Sequence, residues 1–130
     1  MYIVNVIQVP ENELKKDYKL LKVKGCDFTE EEFIKTNSNR TFSVINQVKN
    51  IYKWNDIVEM SDFVQIIKKF KKEDSFVKIH SDEKSLLVKV FEKVAKSGEI
   101  AGSAVEIFIE VFDSIKDSSR FDPEMEGSPS

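Results

Sequence analysis

Apolar and polar residues alternate between two periods along this chain, and the changes of period divide it. Tyr2 to Val9 (YIVNVIQV) is rich in β-branched residues and stops at Pro10, which has no amide hydrogen for a ladder, so a strand is expected there. Tyr18 to Lys24 sets Leu21 and Val23 against Tyr18, Leu20 and Lys22, with Gly25 behind them, and alternation predicts a second strand paired with the first. Phe76 to His80 is a third, shorter candidate.

Between these segments the period lengthens to that of a helix. Thr29-Glu30-Glu31-Glu32 has the spacing of a capping box, and Phe28 and Phe33 fall at the two positions of a hydrophobic staple, which predicts a short helix from Glu30 that ends before Asn37-Ser38-Asn39. A second helix is expected over Thr41 to Trp54, with Val44, Ile45, Val48, Ile51 and Tyr52 forming its stripe. A third carries Phe63, Ile66, Ile67 and Phe70 inward, and its start lies either at a Ser61 or Asp62 cap or earlier, at Asp56. Ser81 is expected to cap a fourth helix over Asp82 to Lys96, closed by Gly98 in the left-handed conformation. The short connector Ser97 to Ser103 then folds a fifth helix, about Ala104 to Lys116, back on the fourth as an αα-hairpin. Its β-branched residues would also suit a strand, but Glu106, Glu110, Asp113 and Asp117 gather on one arc only at helical spacing.

The expected architecture is α+β, a small antiparallel or mixed sheet covered by four to five helices. Residues 1–119 form one globular domain, and 120–130 an acidic tail with Pro, Ser and Gly. A chain of 130 residues with 41% hydrophobic residues and 14 aromatics can bury a core without disulfides or structural metals.

Charge narrows the partners. A net charge of −3 argues against a surface built to neutralise phosphates, and only two arginines, Arg40 and Arg120, stand beside 18 lysines, so the bidentate forks of base recognition are scarce. Lys68, Lys69, Lys71 and Lys72 around Phe70 make the one nucleic-acid signal, cations interleaved with an aromatic that could stack on a base. Their place in a last helical turn before Glu73-Asp74 suits a solvated helix end better. The lysine-rich, alanine-poor composition also points to AT-rich codons, which with the small size suits a phage or mobile-element accessory protein.

Catalytic and metal chemistry have little to work with. His80 and Cys26 are single in the sequence, which excludes multi-ligand His and Cys zinc sites, and no spacing links them as a thiol pair. Carboxylates abound, Asp56, Glu59 and Asp62 among them, but none has ligand spacing, and no phosphate-cradling glycine loop or nucleophile elbow occurs. No cofactor and no metal is expected. No apolar run reaches the length of a membrane span, and the start of the sequence has no secretory pattern, so the expected place is the cytoplasm, or the host cytoplasm or virion for a viral source.

The apolar arc of the fifth helix is wider than a surface helix needs, so it is either central to the core, the favoured reading, or partly an interface. The leading functional expectation is a non-enzymatic protein-interaction or assembly protein, with a protein partner or a second copy of itself. The residues expected to contact that partner are Glu106, Glu110, Asp113 and Asp117 on the fifth helix and Phe121, Asp122, Glu124 and Met125 in the tail. The alternatives are a nucleic-acid regulator acting through the lysine cluster and a small enzyme with a carboxylate site.

Overall fold

The computed structural model describes residues 1–25, 27–72 and 75–120. In chain order the elements are β1 (Tyr2–Asn5), α1 (Glu11–Val23), α2 (Glu30–Asn37), α3 (Arg40–Ile51), α4 (Ile57–Lys72), β2 (Phe76–Ile79), α5 (Ser81–Ser97), α6 (Val105–Lys116) and β3 (Ser119–Arg120). The fold is α+β, with a three-stranded antiparallel sheet in the order β2-β1-β3 and helices packed on one of its faces. Val4, Val77 and Ile79 point into the core, whereas Asn5, Phe76 and Lys78 are exposed.

The segment expected as a second strand is helical. α1 runs through Tyr18 to Val23, with Pro10 at its N-cap, Glu11 and Glu13 in its first turn, and Leu14 and Tyr18 buried one turn apart. Proline at a helix entry loses no hydrogen bond, and acids there suit the helix dipole, so the residues before Tyr18 decide the conformation of those after it. The first strand is shorter than expected for a related reason. After Asn5 the chain leaves β2 and runs beside the start of α3: the Ile7 amide donates to Thr41 Oγ1 (2.9 Å), Arg40 N to Ile7 O (2.9 Å) and Val9 N to Ser38 O (2.9 Å). Arg120, assigned by composition to the tail, pairs with Tyr2 in the sheet.

Other boundaries agree closely. α4 starts at the earlier of its two candidate sites, where the Asp56 carboxylate accepts from Val58 N at 2.8 Å, so Ser61 and Asp62 lie within the helix. Ser81 is the first residue of α5 and not its cap; the cap position is His80, whose amide donates to Glu83 Oε1 at 2.8 Å. Gly98 closes α5 at φ 71°, as the αL reading requires.

Two apolar clusters form. The larger joins the sheet to α3, α4, α5 and α6 around Ile45, Phe63, Phe70, Phe91 and Ile115, all fully buried. The smaller lies between α1 and α2, where Tyr18 meets Phe28 and Phe33 at 6.3 and 5.9 Å, and Phe28 stacks on Phe33 at 5.7 Å. Both halves of the Thr29–Glu32 capping box are made, at 3.2 and 3.3 Å. Phe33→Ala removes the central ring of this satellite and should lower stability by about 1–2 kcal/mol, less than a full core deletion because the ring is half-buried. A denaturation midpoint identical to that of the parent protein would show that α1 and α2 contribute nothing to the cooperative unit.

Candidate binding groove

Because the α1–α2 cluster does not merge with the main core, a seam runs between them. It opens as a groove of about 570 Å³, inside the range of about 300–1,000 Å³ typical of ligand-binding clefts. α3 supplies the floor: Val44, Val48 and Ile51 follow one another at four- and three-residue steps along one face, with Arg40 one turn before them. Leu14 and Asp17 of α1, with Phe33 and Asn37 of α2, make one wall. The connector residues Glu99, Ile100 and Ala101, continued by Ala104, Ile107 and Phe108, make another.

The surfaces are apolar below and polar at the rim. Arg40 is neutralised by Glu110 of α6 at 3.3 Å, an ion pair that ties floor to wall. Asp17 and Glu99, on different walls, have no ion pair among the described residues. The amides of Gln47 and Asn50 are exposed at the rim, where they can bond a main chain laid along the groove. This chemistry grips an apolar side chain and favours a cation beside it.

The expected contact residues Glu106, Glu110 and Asp113 of α6 and Asp117 at its C-cap are all exposed, outside the groove lining. Glu110 reaches the groove through Arg40, Asp113 pairs with Lys116 at 3.4 Å, and Glu106 and Asp117 have no ion pair among the described residues. Val105 and Ile109 remain 38% and 48% exposed while Phe108, Val111, Phe112 and Ile115 are buried, so the wide apolar arc of α6 serves the core first and leaves a strip outside. Phe121, Asp122, Glu124 and Met125 lie outside the described residues, as does Cys26.

In the lysine cluster Phe70 is fully buried and offers no ring for a base to stack on. Lys69 is bound to both carboxylate oxygens of Glu83, at 2.9 and 2.7 Å, which leaves Lys68, Lys71 and Lys72 exposed at the helix end.

The fold also assembles carboxylates that are distant in sequence. Asp56, Glu59 and Asp62 from the start of α4 meet Asp82 and Glu83 from the start of α5, beside His80, around a cleft of about 500 Å³. Glu59 is held by Lys89 at 2.8 Å and Glu83 by Lys69, and among the described residues no three ligands converge as a metal ion requires. The hydrogen bond from Lys89 to Glu59 holds the ammonium above the usual lysine range.

The chain matches no family model, curated protein or solved structure. No helix among the described residues is long and apolar enough to cross a membrane.

The strand expected over Tyr18 to Lys24 interrupts the helix that carries the groove residues Leu14 and Asp17, and no element was expected over Glu11 to Asp17. Read as a helix from Glu11, the chain places Leu14, Tyr18 and Leu21 on one face, with Asp17 at its margin, and this was the signal to find.

Proposed function

We propose that this chain is a non-enzymatic protein-interaction module whose groove receives an apolar side chain or two from a helical or extended segment of its partner. The observation that supports this reading is a cleft over α3 in which half-buried Phe33, Ile51, Ile100 and Ile107 lie between polar rims, the arrangement used when an amphipathic helix is laid in a groove. Asp17 and Glu99, without an ion pair among the described residues, favour a segment with Lys or Arg flanking its apolar anchors. A nucleic-acid role through Lys68, Lys71 and Lys72 has less support, since the aromatic among them is buried.

Selection of peptides from a random display library on the folded protein tests the reading. Binders should share spaced apolar anchors flanked by basic residues, and Ile107→Lys, at a half-buried wall position, should weaken them at least about tenfold, since an apolar contact of about 1.5–3 kcal/mol is lost. Replacing Lys68, Lys69, Lys71 and Lys72 together by Gln should leave both folding and peptide affinity unchanged. Binders insensitive to Ile107→Lys, or tight salt-dependent binding of generic DNA or RNA that the lysine variant loses, would overturn it.

A further inference from the structure

The α1 helix carries on its outer face a surface that matches the groove. Leu20 is 66% exposed and Val23 89% exposed, one turn apart on the side opposite the buried Leu14 and Tyr18. Lys16 and Lys19 precede these two residues by one turn each and Lys24 follows them; all three are exposed and have no ion pair among the described residues. This is a pair of apolar anchors flanked by three cations on a helix, with Asp17 on the margin nearer the groove. The groove presents the reverse: apolar side chains between two walls whose carboxylates, Asp17 and Glu99, have no ion pair among the described residues. Exposed apolar side chains of this size gain free energy from any apolar cover, and the free charges decide which cover is favoured.

We infer that the groove is occupied by a second copy of this chain, which inserts Leu20 and Val23 of its α1 while its Lys16, Lys19 and Lys24 meet Asp17 and Glu99. The inference rests on the groove being a protein-binding site, and it names the occupant. The contact is heterologous, since knob and groove are different surfaces. A pair of copies therefore keeps one free knob at one end and one free groove at the other, and assembly proceeds to a ring or an open chain. Two anchors bury less than the roughly 1,200–2,000 Å² of stable complexes, so association is weak and is read up to about 1 mM chain.

Sedimentation velocity on the full chain tests this with variants at exposed sites. The parent protein should show a weight-average mass that rises with concentration and falls as salt screens the contact. L20K/V23K, which spoils the knob, and D17K/E99K, which reverses the groove charges, should each be monomeric with unchanged circular dichroism. The decisive arm is charge exchange: D17K/E99K mixed with K16E/K19E/K24E should regain association that neither shows alone. A parent protein monomeric at about 1 mM, or association that L20K/V23K leaves intact, would overturn the inference. The groove reading is judged separately, because groove-directed peptides binding to a monomeric protein would leave it standing with a different occupant.

Discussion

Phe91→Ala should cost about 3–5 kcal/mol, a large part of the roughly 5–15 kcal/mol that stabilises an ordinary domain. Phe91 is fully buried on α5 and lies 5.2 Å from the Phe108 ring and 5.4 Å from that of Phe112, which are themselves 5.8 Å apart. The three rings are the centre of the α5–α6 hairpin, so truncation leaves a cavity bounded by two aromatic faces that cannot both move in. Phe91→Leu, which retains most of the volume, should lose less than half as much. Urea denaturation should show a lower midpoint at an unchanged slope. A loss under about 1.5 kcal/mol for the alanine variant would mean that α6 holds its place without this triad. Phe108 also lines the groove, so the same variant should reduce peptide binding beyond its effect on the folded fraction.

The hairpin was legible because its signals agree: a 3.6-residue stripe, a terminal Gly98, and acids confined to one arc of α6. The α2 start was equally legible, since capping box and staple are local and need no tertiary contact to be recognised. α1 failed for the opposite reason. Over the seven residues from Tyr18 the apolar positions satisfy a period of two as well as a helical one, and only the preceding Glu11 to Asp17 separates them. β3 is two residues long and exists through its register with Tyr2 and Ile3, a long-range contact that no local pattern announces.

The site shows the same division. Charge on α6 was readable from spacing, but whether an acid is free or paired depends on which element faces it: Glu110 meets Arg40, seventy residues earlier in the chain, whereas Asp117 meets no cation among the described residues. Likewise the five carboxylates at the starts of α4 and α5 are ordinary helix-start acids in sequence, and the cleft they share is a product of packing. A groove is a gap between elements, so it became visible only once α1 and α2 were seen to bury their own cluster apart from the main core.

The joint between those parts is Asn39, and Asn39→Ala should cost about 2–4 kcal/mol. Its Oδ1 accepts from Phe42 N at 2.9 Å as the N-cap of α3, and its Nδ2 donates to the Phe70 carbonyl at 2.9 Å, near the end of α4 where intrahelical partners run out. Loss of the cap accounts for about 1 kcal/mol, and the carbonyl left without its donor for about 1–3. Asn39 also bridges to Gln8 in the segment where Ile7 and Val9 bond to Arg40 and Ser38, so one residue connects the exit of β1, the start of α3 and the end of α4. Asn39→Asp separates the contributions: it keeps the cap acceptor but sets a carboxylate against the Phe70 carbonyl, so a substantial loss should remain. Were Asn39→Asp as stable as the parent protein, the bond to Phe70 would carry no weight and the cap alone would explain the alanine variant. Amide exchange locates the effect: the Ile7, Val9 and Arg40 amides should lose protection in Asn39→Ala while those of α5 keep theirs. Val9 and Arg40 both line the groove, so loosening this joint should weaken groove-bound peptides even where the protein remains folded.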